Sequence, residues 1–365
     1  MTESPVLVTG ATGQLGTHFI SHLNESGIVP RALVRQRYPD EAWGPYRVRT
    51  VTGDIAPADA GASGEAHERA LATLERLLDG IDTVYHLAAY VHVGTRHRKQ
   101  HERVNVQGTK NLYRAAMRAQ VRRIVHVSSI VTIGASADGA PLDETSTYNL
   151  APFENPYFDT KRESEQWILG AARTSPGSER GAGARPAPEV VVVCPAINFG
   201  ERKAIRSRAA QIRGGNEPSL LSVTERPSWM PWMRAFPFRL PVRVNLADAG
   251  ETARGILAAG ERGRPGERYI LGGANLDYGG IVSILREFFP VARPVIPVPA
   301  SLLAMSGALS EAMYKPFGKR PKWDRRRAAL ARFAWHYDAS KAARELGWVH
   351  RPIRETVAHI LGPLC

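Results

Sequence analysis

An α/β fold, a doubly wound parallel sheet carrying a smaller C-terminal lobe, follows from three observations in this 365-residue chain. Over the first 130 residues, short apolar runs alternate with segments of helical periodicity, the pattern of a parallel sheet covered by helices. A glycine-rich turn joins the first apolar run to the first helical segment. A continuous apolar run, Val190–Val193, reads as a fully buried strand.

In chain order, Val6–Val8 is the first strand and a helix runs from about Gly13 to Ser26. Arg31–Val34 and Val48–Val51 are the second and third strands, Ala66–Leu78 is helical, and Thr83–Leu87 is the fourth strand. One long helix is expected from Lys99 to Arg118, then a fifth strand at Arg123–Val127. A helix carrying Tyr157 ends near Ala172 in a Gly/Pro/Arg-rich loop, Thr174–Pro188, of the composition expected for a mobile connection. Residues 201–240, rich in Arg, Pro and aromatics, read as an appended lobe, while Val242–Val244 and a helix over Ala249–Glu261 return to the main domain. The expected division is therefore residues 1–200 with 242–262 in the main domain, and 201–241 with 263–365 in the lobe.

An apolar fraction of 43% allows a sizeable core. Two cysteines, Cys194 and Cys365, make no disulfide framework and fit a reducing, cytoplasmic setting. Met1 leads almost directly into Val6–Val8 with no basic segment, so no signal peptide is expected. No apolar stretch approaches the ~20 residues that span a bilayer. The best, Val295–Leu309, is broken by Pro297 and Pro299. The net charge of +13 is mostly Arg scattered along the chain, which reads as solvated surface and an anionic small molecule, with no nucleic-acid partner. His86, His126 and Cys194 read as packing residues, and no metal-ligand cluster is present.

Gly10, Gly13 and Gly16 lie in Thr9-Gly10-Ala11-Thr12-Gly13-Gln14-Leu15-Gly16, directly after the first strand and opening a helix. In that context Gly10 allows a tight turn, Gly13 lets the backbone approach a pyrophosphate, and Gly16 lets helix and strand pack closely. The helix N-terminus offers N–H groups and a partial positive charge to phosphate. The second strand ends Leu33-Val34-Arg35-Gln36-Arg37 with no acid before Asp40. An acid there holds the ribose 2′-hydroxyl of NAD and an Arg accommodates the 2′-phosphate of NADP, so Arg35 favours NADP. The rival reading, Arg35 stacked on adenine, keeps NAD open. Asp54, after the third strand, is placed to accept from the adenine amino group, or else is a solvated turn residue.

Tyr157 and Lys161 are four apart on a helix and so share a face. An ammonium beside a phenol favours the phenolate and brings its proton exchange nearer neutral pH. That is acid–base equipment for hydride transfer at a carbonyl carbon. The fifth strand ends Val127-Ser128-Ser129-Ile130, where a hydroxyl meets the ligand crevice of a parallel sheet. The same spacing recurs at Tyr337 and Lys341, but Asp338 or Ser340 reads as a helix cap, placing Tyr337 before the helix. That pair is read as a decoy.

Taken with Gly53-Asp54, His86-Leu87-Ala88-Ala89, Val104-Asn105-Val106-Gln107-Gly108-Thr109 and Tyr157-x-x-x-Lys161, the chain resembles the extended short-chain dehydrogenase/reductase family over essentially its whole length. Leu246–Gly250 and Gly266–Gly273 resemble its later segments, and the branches it is most similar to are the dihydroflavonol reductases, 3β-hydroxysteroid dehydrogenases and hopanoid-associated epimerase-like proteins. The resemblance implies a Rossmann-type sheet with a substrate-binding lobe and an NAD(P)-dependent enzyme, possessing Tyr157 as general acid/base, Lys161 as its pKa-lowering partner and ribose ligand, and Ser129, rather than Ser128, as the carbonyl-polarising hydroxyl. It implies cofactor contacts at Gly10, Thr12, Gly13, Gln14, Leu15, Gly16, Arg35, Asp54, Ile55, Leu87, Ala88, Ala89, Tyr157, Lys161, Pro195 and Ile197. Asn105 is read as structural. The expected partner is a small-molecule substrate, with a homodimer and peripheral membrane association left open.

Departures from the sugar-nucleotide branches shape the functional reading. Val131-Thr132-Ile133-Gly134 replaces their Val-Tyr-Gly, Ile130-Val131 replaces the dehydratase Asp-Glu, and Arg243–Asp248 lacks their Arg-Asp-aromatic segment. The expectation is thus an NADP(H)-dependent ketone/alcohol oxidoreductase acting on a fairly apolar molecule. The alternatives are an NAD-dependent sugar-nucleotide epimerase/dehydratase and, as a minor one, a non-catalytic redox-sensing regulator. Trp229–Phe238 reads as an apolar wall over the substrate or as lobe core or subunit interface. Ser301–Tyr314, followed by Lys315, Lys319, Arg320, Lys322 and Arg325–Arg327, reads as a helix with a solvated charged face, the alternative being an amphipathic helix with a basic anchor.

Overall fold

The computed structural model describes residues 5–57, 64–92, 97–174, 187–200, 237–288, 290–293, 295–317, 321 and 323–361, with Ile205, Ser207 and Ala209. Seven strands form one parallel sheet: β1 (Val6–Thr9), β2 (Arg31–Val34), β3 (Arg49–Thr52), β4 (Thr83–His86), β5 (Arg123–Val127), β6 (Glu189–Pro195) and β10 (Arg268–Leu271). Their order is β10-β6-β5-β4-β1-β2-β3, so the order reverses between β1 and β4. Alternation along the strands inside β3 feeds two cores. On one side Val6, Val8, Tyr85, Val125 and Val191 pack against Phe19, Ile20 and Leu23 of α1 (Gln14–Glu25) and Ile256 of α7 (Ala249–Arg262). On the other, Leu7, Val84, Ile124 and Val192 pack against Leu74 of α3 (Gly64–Leu77), Leu112 and Tyr113 of α5 (Gly108–Arg118) and Ile168 of α6 (Pro156–Thr174). Covering both faces is what near-continuous apolar strands require.

Two features differ from the sequence expectation. The long helix over 99–118 is broken: α4 (Arg98–His101) passes through a π-helical turn, Glu102–Gln107, into α5. An extra residue per turn there brings Asn105 inward to neighbouring backbone, which periodicity alone cannot reveal. The sheet also takes in 268–271, expected in the lobe, because β10 pairs with β6 from Arg268↔Val192 to Leu271↔Pro195. Trp348 and Leu346 of the C-terminal segment likewise join the main core.

A smaller sheet, β7 (Ile197–Phe199), β9 (Arg243–Asp248) and β11 (Ala274–Asp277), lies beyond β6, and β8 (Phe238–Arg239) pairs with β12 (Ile296–Pro297). Among the described residues, the other α-helices are α2 (Asp40–Trp43), α8 (Tyr278–Leu285), α9 (Ala300–Tyr314), α10 (Arg325–Leu330), α11 (Ser340–Leu346) and α12 (Ile353–Leu361). The aromatic segment 229–236 and most of the loop 174–188 lie outside the described residues.

Candidate active site

The C-terminal ends of parallel strands share one edge of the sheet, and the predicted site residues gather along it. At the end of β1, Gly10 turns with φ +74°, and a Cβ there would lie 2.7 Å from Ala88 N and Leu87 C. The loop thus lies directly against the end of β4, where Thr9 Oγ1 accepts from Ala88 N at 3.2 Å. A Cβ on Gly16 would strike Gly10 O at 2.1 Å, so this glycine serves helix–loop packing. Gly13 differs: its nearest neighbour would be Gly10 O at 3.4 Å, and no side chain caps α1. An uncapped helix N-terminus beside an open Cβ position fits a dinucleotide pyrophosphate. Thr12, Gln14 and Leu15 are partly exposed around it.

Arg35 is exposed just past β2, and Asp54 follows β3, where its Oδ1 accepts from Ala56 N at 3.0 Å. Ile55 is buried, its carbonyl held by Asn111 Nδ2 at 2.9 Å. Leu87, Ala88 and Ala89 leave β4 partly exposed. Pro195 ends β6 in the interior, and Ile197 is exposed on β7. These positions suit an adenosine at one end of the edge and a nicotinamide at the other.

Asn155 accepts from Tyr157 N at 3.0 Å and precedes Pro156, a favoured pairing of cap and first helical residue that fixes where α6 begins. The Ser129 hydroxyl lies near enough to the Tyr157 phenol to act on its proton. Burial holds this phenol above its ordinary value, with the Ser129 hydroxyl acting the other way. The expected lowering by Lys161 is not seen. Lys161 is buried and donates to Val127 O at 2.8 Å, on the strand rather than on the phenol. Burial pushes its ammonium down to about 8, against the opposing pull of Glu165. Nearby, His86 bonds Thr9 and Thr109 at 2.8 and 3.1 Å, and burial pushes it down to about 3. Burial and Lys161 likewise keep His126 neutral.

Asn105, read as structural from the sequence, and two residues that were not anticipated, His101 and Glu165, support the site. Asn105 Oδ1 accepts from Tyr90 N at 2.7 Å while its Nδ2 lies 3.2 Å from Tyr90 O and 3.1 Å from Thr160 Oγ1, tying the strand-β4 loop to α6. His101 packs between Tyr90 and Tyr157, with ring centroids 4.8 and 6.1 Å away. Glu165, one turn beyond Lys161, is buried; it accepts from Ser128 and, at 2.6 Å, from Thr132, and pairs with Arg268 Nε at 3.1 Å. Ser128 is thereby committed to Glu165, while Ser129 faces Tyr157. The i+4 spacing from Lys161 was the available signal for Glu165; its distant partner Arg268 had none. The second Tyr/Lys pair is not brought together. Tyr337 donates to Gly134 O at 2.6 Å and Lys341 pairs with Glu267 at 2.6 Å.

Comparison with known proteins places the chain in a family. The family described as NAD dependent epimerase/dehydratase matches residues 6–272. A putative dihydroflavonol 4-reductase of Synechocystis is 27% identical over 355 residues, covering 96% of this chain and 92% of that protein. Sterol demethylase protein B of Methylococcus capsulatus is 28% identical over 356 residues, covering 96% and 95%. The crystal structure of gox2253 superposes with a TM-score of 0.74 at 26% identity, covering 98% of this chain and 96% of that one. The chain belongs to the NAD dependent epimerase/dehydratase family and is an enzyme of the extended short-chain dehydrogenase/reductase type.

Proposed function

We propose that this enzyme is an NADP(H)-dependent oxidoreductase interconverting a ketone and an alcohol on a fairly apolar small molecule. The observation that carries the reading is the approach of Ser129 to the Tyr157 phenol at the ligand edge of the sheet, with Lys161 buried one turn further along α6. In the direction of reduction, Tyr157 keeps its proton until the substrate oxygen gains charge, because burial disfavours a free phenolate. Ser129 donates to the same oxygen and orients it. Lys161 supplies a fixed positive charge beneath the site, and its Val127 contact sets the height of that charge. When bound, the nicotinamide supplies or accepts the hydride. Gly13 and the α1 N-terminus would hold its pyrophosphate, and Arg35 the 2′-phosphate.

The reductase relative of similar length supports net carbonyl reduction. So do Ile130 and Val131, which offer no second acid/base beside Ser129. Titrating NADPH and NADH against wild type and Arg35→Asp tests the cofactor choice. The expected result is tighter NADPH binding by wild type, weakened about 10- to 100-fold in the variant, with NADH little changed. Wild type preferring NADH, or arriving with tightly held NAD and turning over without added nicotinamide, would replace this reading with transient-oxidation chemistry.

A further inference from the structure

Among the described residues, no element covers an apolar stripe on helix α9. Leu302 is 50% exposed, Met305, Leu309 and Met313 are each 62% exposed, and Phe317, just past the helix, is 73% exposed. At 3.6 residues per turn, the first four side chains fall within about 80° of one another. The side of α9 that packs is elsewhere. A Cβ on Gly307 would lie 2.6 Å from Asp324 O and 2.8 Å from Ala328 Cβ, so α9 and α10 are in backbone contact there, roughly 150° from the stripe. Trp323 Nε1 donates to Ser306 Oγ at 3.0 Å and pins the hairpin. Among the described residues, α9 packs through Gly307 and Ser306 and not through the stripe. Isolated exposed apolar residues are ordinary, but a contiguous row of this kind marks a contact surface.

Charge identifies the kind of partner. Between residues 315 and 327 the sequence has seven Lys or Arg against one acid, Asp324. Asp324 is itself spent capping α10 through Arg327 N at 2.8 Å. Lys315 and Arg325 are exposed beside the hairpin, and of the nearby acids Glu154 is paired with Arg326 at 2.6 Å and Glu311 accepts from Arg325 N. Fifteen helical residues rise about 22 Å, short of the roughly 30 Å hydrocarbon core, and no described helix is long and apolar enough to cross a membrane. An exposed apolar stripe continued by a basic flank, too short to span, is a surface that anionic lipid can hold by apolar and electrostatic attraction together. We propose that α9, with its stripe Leu302–Met305–Leu309–Met313 and the exposed Lys315 and Arg325 beside it, docks this enzyme peripherally on an anionic lipid surface. Exposure thereby favours the basic-anchor alternative over a merely solvated face, and the proposal does not depend on the chemistry assigned to Tyr157.

The test is sedimentation of the full chain with phosphatidylcholine vesicles, with and without about 30 mol % phosphatidylglycerol, at about 0.05 and 0.5 M salt. The expected result is binding to the anionic vesicles at low salt, at least about tenfold weaker at high salt. Met305→Glu/Leu309→Glu/Met313→Glu should abolish binding while circular dichroism and NADPH affinity stay as in wild type. Lys315→Glu/Arg325→Glu, which leaves the stripe intact, should weaken binding to the anionic vesicles. No binding to anionic vesicles at low salt, or equal binding to neutral ones, overturns the proposal. So does a triple variant that binds as wild type. If wild type stays off vesicles and the triple variant turns a dimer into a monomer on size-exclusion chromatography, the stripe is covered by a second copy instead.

Discussion

Lys161 Nζ donates to Val127 O at 2.8 Å, so a buried ammonium rests on the strand end that also carries Ser129. Burial puts its folded pKa near 8, below the 10.5 of an unperturbed lysine. Between those values the unfolded chain holds more protons on this group, so its contribution makes unfolding free energy rise with pH, by up to about 1.4 kcal/mol per pH unit. Below pH 8 both states are protonated and the slope vanishes. Urea unfolding of wild type and Lys161→Met from pH 7 to 10.5 should show a difference that grows only above about pH 8; parallel curves would remove Lys161 as the source.

Tyr157→Phe removes the proton donor and keeps the ring against His101. Turnover should fall about 10²- to 10⁴-fold, the usual span for losing a general acid/base. NADPH affinity should change little, as read by fluorescence titration. Ser129→Ala should lower kcat less, because the phenol keeps its proton without it. A Phe variant with wild-type kcat would sink the assignment.

Gly13→Ala and Gly16→Ala separate ligand space from packing space. Gly13 has extended backbone, φ −80° and ψ 173°, with only Gly10 O nearby at 3.4 Å. Its alanine variant should fold normally and bind cofactor at least about tenfold more weakly, since the methyl group enters the pyrophosphate position. The Gly16 methyl meets Gly10 O at 2.1 Å, and overpacking of that kind should cost about 1–3 kcal/mol in chemical denaturation.

Glu165→Ala leaves the partly buried Arg268 without its carboxylate and Ser128 and Thr132 without this acceptor. Breaking a buried pair from one side should cost about 3–5 kcal/mol. Glu165→Gln, which keeps an acceptor oxygen, should cost less. Equal stability of both variants with wild type would mean the pair is dispensable.

Local rules were enough for much of this molecule. The strand and helix order, the Gly10-x-x-Gly13-x-x-Gly16 turn and the Tyr157–Lys161 spacing depend on neighbours a few residues apart, so periodicity and turn chemistry expose them. The second Tyr/Lys spacing was rejected for an equally local reason, a helix that begins only at Ser340. Tertiary structure alone decided the remainder, because it turns on residues far apart in the chain and on what is desolvated when they meet. The pairing of β10 with β6, the Glu165–Arg268 contact and the Asn105 bridge to Tyr90 and Thr160 all depend on such meetings. Burial made Lys161 less basic and Tyr157 less acidic, where spacing had predicted a phenol lowered by its neighbour. Packing through Gly307 turned the stripe of α9 outward. Sequence placed the chemical groups along the chain; the desolvation and contacts that set their charge and reach arise only when the chain closes on itself.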